Sequence, residues 1–381
     1  TFEKFYECMN PNVFVIGGGE VYNSFLSSEK YRPSNVFLTE VYGYKGLEPD
    51  TFISGLTQEY RLIGVSDKLI DKDCGVSFRF LEYRYFKNFK TDENKYLDVL
   101  RDILATGNTR GDRTGVGTIS VFGKQIEFDI STNIPLLTSK RVPWKHAIHE
   151  LLWFMRGDTD AKILQKSGVK IWDGNTSREF LDSRGLNHLN EGDLGAGYSF
   201  QLRHFGAEYI DCNTDYTNQG FDQLNYVINL IKNDPNSRRI LFSYWNPLAM
   251  KKMVLPACHI IYQFHVNTDK NELSCSFYQR SSDFVLAANF NIVSAAVLTF
   301  MLCHITGYKP GKIIHNIGDL HIYKNHIEEA KKMLDNNPKH FPLFYINDPN
   351  NNIKNIEDFK YSDFKILFYN SYKKYNFTMA I

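Results

Sequence analysis

The sequence predicts an α/β (α+β) protein, and three stretches carry that reading. Residues 292–305, IVSAAVLTFMLCHI, form the longest strongly apolar run; its 14 residues are too few to span a bilayer and read as a buried core helix. HIIYQFHV (259–266) and ELSCSFYQR (272–280) read as two strands joined by the turn Asp269-Lys270-Asn271, a hairpin. VFVIG (13–17) is a continuous apolar run, as in a strand buried on both faces, and Gly17, Gly18 and Gly19 lead into a helix start, EVYNSFL.

The remaining elements follow in order. NVFLTEV (35–41) is a second strand, and VSFRFLEYRYF (76–86) alternates as a terminal antiparallel strand should. KNFKTDENK (87–95) is charged and non-periodic and reads as linker. The expected division is a first domain over 1–88, a linker over 89–94 and a second domain over 95–381, as a chain of 381 residues allows. KYLDVLRDIL (95–104) has helical spacing, KHAIHELLWFMRG (145–157) is a helix ended by glycine, and DQLNYVINLIKNDP (222–235) is a helix stopped by Asp-Pro. RILFSYW (239–245) is a further strand. The Asn-rich stretch 347–359 reads as a surface loop.

Composition narrows the function. The chain is 43% hydrophobic and 15% aromatic, enough for a large core. Lys+Arg (44) and Asp+Glu (43) nearly cancel, which argues against a dedicated nucleic-acid or membrane-surface binder while leaving room for a local basic pocket. The six cysteines are scattered without a CxxC pair, so neither a disulfide framework nor a metal site is signalled. A reducing, cytoplasmic location is expected.

One of those cysteines, Cys258 in VLPACHIIYQF (254–264), stands at the mouth of a strand. Taken alone it is more often core filler than a nucleophile. His259 is poorly placed as its base, because neighbours on a strand point to opposite faces. The arginines alter the balance. Arg113 lies in a Gly-rich loop, Arg238 and Arg239 in a turn entering a strand, and Arg280 at the end of the hairpin. Each alone reads as a solvated charge. Brought together they suit a phosphate dianion, and their field is expected to lower a nearby thiol's pKa; a drop of about two units, ~2.7 kcal/mol, would make it mostly thiolate. Asn291, in the Phe-Asn pair taken to precede the buried helix, reads either as an N-cap or as an amide that matches the N3–H and O4 edge of a uracil.

These blocks, with DRTGVGT (112–118), PLLTSKR (135–141), HELLWFMRG (149–157), IWDGN (171–175), GDLGAGY (192–198), DPNSRR (234–239), LSCSFYQRSSD (273–283), GDLHIYKNH (318–326) and the terminal MAI, resemble the folate-dependent thymidylate synthase family along residues 93–381. The resemblance implies that family's fold, a large mixed sheet around a buried central helix. Residues 1–86 resemble the C-terminal part of dihydrofolate reductase through VFVIGGGEVY (13–22), VFLTEV (36–41) and DTFI (50–53), implying a partial reductase-like α/β domain ahead of the synthase.

The site assignments come from the same resemblance. Cys258 matches the nucleophile that adds to C6 of the uracil of deoxyuridylate (dUMP), with Glu150 the carboxylate of a proton-transfer water network and Tyr198 the aromatic beside it. Arg113, Arg280 and Ser281 match phosphate ligands, with Gln279 and Asp283 also on the substrate side. Arg238 and Arg239 match a pair supplied by the second subunit of a homodimer with shared active sites. Asn291 matches the residue that reads the base, and His321 and Tyr323 the ribose 3′-hydroxyl contacts. Lys140, Trp172, Asp283 and Ile381 match folate contacts, the last closing over the ligands. The implied cosubstrate is 5,10-methylenetetrahydrofolate, and no metal is implied. In the reductase-like part Gly17 and Gly18 match a glycine pair joined by a cis peptide. With Gly19 and Glu20 they head the helix expected to receive NADPH phosphates, and Thr39 matches a strand position near the pterin. Three departures stand out. Ser282 replaces a cysteine, Leu320 replaces a smaller residue, and Ala287 replaces a glycine whose loss is expected to crowd the pyrimidine. The rival readings are a deoxycytidylate hydroxymethylase, which carries an acid where this chain has Asn291, and a non-catalytic nucleotide-binding scaffold. A flavin-dependent synthase needs an RHRxxS motif, which the sequence lacks.

Overall fold

A computed structural model of the chain describes residues 14–16, 18–42, 53, 56, 59–66, 68–72, 75–86, 91–112 and 114–378. Gly17 and its expected cis peptide, Asp50-Thr51-Phe52, the first part of the linker stretch (87–90), Arg113 and Ile381 lie outside the described residues. The chain divides into two units, Thr1–Lys90 and Thr91–Ile381.

In the first unit α1 (Gly19–Ser27) precedes β1 (Asn35–Tyr42), β2 (Tyr60–Val65), β3 (Leu69–Ile70) and β4 (Ser77–Tyr85). β4 runs between β1 and β2, antiparallel to both, and β3 pairs with it as well. The strand expected over 13–17 does not form across the described residues 14–16. Phe14 and Ile16 are 79% and 88% exposed. An apolar run becomes a strand only where a sheet edge receives its backbone, and none of these four strands pairs with it. The sequence reading also passed over β2, where the register shifts between Leu62 and Gly64 and breaks the alternation.

The second unit contains α2 (Glu93–Thr106), β5 (Asn108–Arg110), β6 (Thr118–Asp129), α3 (Trp144–Arg156), α4 (Ala161–Lys166), α5 (Arg178–Ser183), α6 (Tyr198–Arg203), α7 (Gln223–Asn233), β7 (Leu241–Ser243), β8 (His259–Asn267), β9 (Glu272–Asp283), α8 (Ala288–Thr306), β10 (Lys309–Tyr323), α9 (Ile327–Leu334), β11 (Leu343–Ile346) and β12 (Phe364–Leu367). The main sheet runs β5-β6-β10-β9-β8-β7. β9 and β10 are parallel and every other pair is antiparallel, so the sheet is mixed. The parallel pair needs a crossover, and α8 supplies it. Apolar on nearly every side, α8 packs on β9 and β10 with Ile292, Val293, Val297, Leu298 and Met301 buried. It is long and apolar enough to cross a membrane by length and composition, yet 72% of its most apolar window is buried within the protein, as befits a core helix.

Two boundaries differ from the sequence reading. α8 starts four residues before the apolar run, at Ala288, so Asn291 lies inside its first turn and Ala287 is the N-cap; the N-cap reading of Asn291 is excluded. Ala287 has φ −106°, a backbone angle alanine adopts without strain. α2 begins at Glu93, inside the expected linker. Glu93 is fully buried, and its carboxylate accepts the N–H of Thr138 (2.8 Å), the hydroxyl of Thr138 (2.6 Å) and the N–H of Ser139 (2.7 Å). A glutamate beside a charged stretch looks solvated until its partners, far along the chain, are in view. The Asn-rich stretch is largely exposed, as the surface-loop reading expected, and it is pinned. Asp348 accepts the N–H groups of Asn352 and Ile353, Asp358 accepts those of Lys354 and Asn355, and Ile353, Ile356 and Phe359 are buried.

Candidate active site

α3 carries Glu150 on the face that packs inward. The helix ends at Gly157, whose φ of 79° suits the left-handed cap glycine provides. Glu150 is buried among Leu151, Trp153 and Phe154, and its Oε1 accepts the indole N–H of Trp172 at 2.7 Å. That single bond does not offset burial, and the carboxyl is pushed up to about 7, poised to exchange a proton near neutrality.

Tyr198 opens α6 and ties this group to the cysteine. Its ring meets Trp172 edge-on with centroids 6.1 Å apart, and its hydroxyl accepts the N–H of Cys258 at 2.6 Å. Cys258 sits at the entrance to β8, where the register with β9 shifts between His259 and Ile261, an irregularity that re-aims the chain beside it. Across the strand pair, Arg280 donates through Nε to the Ala257 carbonyl (2.8 Å) and through Nη2 to the Pro256 carbonyl (3.1 Å), bringing Nη2 within 3.9 Å of the thiol sulfur. Glu150, Trp172, Tyr198, Cys258 and Arg280 therefore form one connected group.

The expected depression of the thiol is corrected. Burial pushes Cys258 up, with Arg280 and the Tyr198 hydroxyl pulling only partly against it. Arg238 and Arg239 are exposed on a turn, and no described contact joins them to Cys258 or Arg280. Arg238 instead borders a groove of about 360 Å³ with Gln263, His265, Ser274 and Ser276. His259 is buried with Nδ1 3.0 Å from the Tyr262 hydroxyl, and burial holds it down to about 3, so it stays neutral and is not the thiol's base.

The other expected residues are placed as follows. Asn291 is half-buried, and among the described residues no hydrogen bond occupies its side-chain amide; its neighbour Asn289 is instead spent on the Leu137 N–H and the Pro135 carbonyl. Ser281 and Asp283 lie on β9. Gln279 is fully buried, with Oε1 2.9 Å from His315 Nε2, so that oxygen is already engaged. Ser282 is buried with its hydroxyl unpartnered. His321 and Tyr323 end β10, their rings edge-to-face at 5.4 Å. Lys140 is buried, donates to the Val285 carbonyl and stands 5.2 Å over the Phe377 ring; burial lowers it to about 8 against the pull of Asp283 and Glu93. Burial also raises Asp283, whose Oδ2 is sealed and unpartnered. In the first unit Gly18 caps α1, and Glu20 is exposed in its first turn.

Sequence reasoning missed Asp319, which lies in the quoted block GDLHIYKNH. Its Oδ1 is 3.0 Å from His321 Nδ1 and its Oδ2 accepts from Arg110 at 2.6 Å. That places the ring proton on Nδ1 and leaves Nε2 as an acceptor.

The thymidylate synthase family profile matches residues 94–381, from the first turn of α2 onward. The chain belongs to the thymidylate synthase family. The thymidylate synthase of human herpesvirus 8 is 49% identical over 290 residues, covering 76% of this chain and 85% of its own. A bifunctional dihydrofolate reductase-thymidylate synthase of Zea mays is 43% identical, covering 97% of this chain and 76% of its own, and one of Paramecium tetraurelia is 41% identical, covering 99% and 81%. The second unit is thus a thymidylate synthase domain with the family's mixed α and β content, and the protein is a methyltransferase of nucleotide biosynthesis. The family binds dUMP and uses methylenetetrahydrofolate.

Proposed function

We propose that this chain makes thymidylate from dUMP and 5,10-methylenetetrahydrofolate at Cys258, releasing dihydrofolate. The observation that carries the reading is the connected group of Cys258, Arg280, Tyr198, Trp172 and Glu150. Arg280 reaches both the backbone around the cysteine and its sulfur. It is therefore placed to hold the dUMP phosphate and to favour the thiolate. Once formed, the thiolate adds to C6 of the uracil and turns C5 into an enolate carbon able to form a C–C bond. Asn291 offers its free amide to N3–H and O4 of the base. His321, held by Asp319, accepts from the ribose hydroxyl. Glu150, near neutrality, passes protons through water at the base, including the proton that leaves C5. The folate supplies the one-carbon unit and the hydride, and expulsion of the Cys258 sulfur frees the product. Asp283 suits the pterin: a buried, unpartnered carboxylate oxygen is a ready acceptor for a ring N–H. Lys140, whose charge acts on Asp283, stands on that side, and Trp172 is read as a further folate contact beside Glu150.

The same reading gives Arg238 and Arg239 to the other subunit of a homodimer. They are exposed, and the outer face of the neighbouring sheet exposes Ile261 and Tyr278 at 39% and 38%. It further takes the first unit as part of a dihydrofolate reductase-like domain, with NADPH phosphates at the head of α1 around Gly18, Gly19 and Glu20. The near-complete alignment with bifunctional relatives supports this.

The test is Cys258→Ser. A hydroxyl is a far poorer conjugate nucleophile than a thiolate, so dihydrofolate formation, followed by absorbance, should vanish while dUMP binding persists. Turnover above about a tenth of the unsubstituted rate would remove Cys258 as the nucleophile.

A further inference from the structure

We propose that His326 is a positioning residue that ties the C-terminal segment to Asp283, so that a folate seated on Asp283 and the segment hold each other in place. The inference rests on the reading of Asp283 as a folate contact. His326 ends the short turn after β10 and is 1% exposed. Its Nε2 accepts the backbone N–H of Thr378 at 3.0 Å. A nitrogen that accepts carries no proton, so the neutral ring is protonated on Nδ1. That Nδ1 lies 3.8 Å from Asp283 Oδ2, and both atoms are sealed from solvent without a hydrogen-bond partner. The other Asp283 oxygen is taken by the Leu286 N–H at 3.1 Å.

A donor and an acceptor thus face each other a few tenths of an ångström beyond bonding range, and a buried unmade hydrogen bond is costly. The imidazole is braced edge-on between Phe377 at 5.2 Å and Tyr323 at 6.0 Å. Phe377 also lies under Lys140. The C-terminal segment therefore touches the proposed folate residues twice, through Phe377 on Lys140 and through Thr378 and His326 on Asp283. A slight inward shift of the segment brings Nδ1–H onto Oδ2, and a ligand N–H arriving at the same carboxylate favours that arrangement.

Three substitutions separate the two contacts. An asparagine amide nitrogen stands where Nδ1 does, so His326→Asn keeps the donor toward Asp283 and loses the acceptor for Thr378. A glutamine amide reaches the place of Nε2, so His326→Gln keeps the Thr378 contact and loses the donor. Thr378→Pro removes the N–H of an exposed residue, together with a hydroxyl that accepts only a long 3.4 Å bond from Asn325. Folate KM should rise about tenfold or more in His326→Gln, the loss expected for a hydrogen bond to a charged group, and about two- to tenfold in His326→Asn and Thr378→Pro, which lose the neutral bond to the segment, while dUMP KM stays within about twofold. With dUMP and folate bound, carboxypeptidase should trim the C-terminus of His326→Asn and Thr378→Pro readily but not that of His326→Gln or the unsubstituted protein. Equal trimming of the two His326 variants, or a parallel rise in both KM values, would overturn the proposal. Should the His326 variants not fold, Thr378→Pro decides alone, and unchanged folate KM with unchanged protection refutes it. Trimming does not depend on turnover, so failure of the proposed reaction would show separately, as an unsubstituted protein that forms no dihydrofolate.

Discussion

Replacing Glu150 with glutamine should stabilise the protein while removing its activity, and the stabilisation should depend on pH. The folded carboxyl titrates near 7 against an ordinary 4.5. Between those values the folded state binds more protons than the unfolded chain, so stability falls as pH rises through that window, and above it the full cost of the charged carboxylate is present. The shift corresponds to about 3 kcal/mol at pH 8 and to nothing below pH 4.5. Glutamine cannot ionise, and its amide oxygen can still accept from Trp172. For a chain of 381 residues, whose unfolding entropy is about 0.8 kcal/mol/K, the gain amounts to roughly 4 °C in Tm. Scanning calorimetry of both proteins at pH 5, 7 and 8.5 reads it directly, and dihydrofolate formation under the same conditions reads the lost proton transfer. A Tm difference that does not grow with pH, or full activity of the glutamine variant, would refute the argument that the site holds a costly carboxyl for its chemistry.

Asn291→Asp should narrow the preference for dUMP over deoxycytidylate by at least about tenfold, since a protonated acid can donate to cytosine N3 while its carbonyl accepts from the amino group; competition binding measures the ratio. Mixing Cys258→Ala chains with Arg238→Ala/Arg239→Ala chains and allowing exchange should restore roughly a quarter of the unsubstituted activity per site, because a two-fold heterodimer holds one site with neither lesion; demonstrated exchange without recovery rejects shared sites. Glu93→Ala should cost about 3–5 kcal/mol in urea unfolding, because it strips buried donors of Thr138 and Ser139 in the loop that carries Lys140; a loss under 1 kcal/mol would mean the loop holds itself.

Local pattern carried much of this. The α8 run, the hairpin of β8 and β9 and the glycine stop of α3 are written in residues near one another, and they appear in the structure close to where periodicity put them. What escaped depends on distant partners. Glu93 resembled linker because the loop it holds lies about 45 residues on. VFVIG looked like a buried strand because sequence cannot show whether an edge is there to take it. The arginines could be named, but a stretch of chain does not say that Arg280 meets the thiol while Arg238 and Arg239 face outward. Asp319 and His326 were inside a motif already quoted, yet only coordinates reveal what their oxygens and nitrogens touch.

The order of strands in the main sheet bears on how the protein comes off the ribosome. β6 is complete at Asp129, but its neighbour β10 begins at Lys309. At about 5–20 residues per second, roughly ten to forty seconds separate the two. α8 is complete at Thr306 and β10 only at Tyr323, so for roughly one to three seconds α8 has no finished sheet to cover it. Its window is apolar enough to attract whatever in the cell greets emerging hydrophobic segments. Any delay between residues 288 and 323 would hold the nascent chain in its most aggregation-prone state, so the pace of translation there should govern how much soluble enzyme is made.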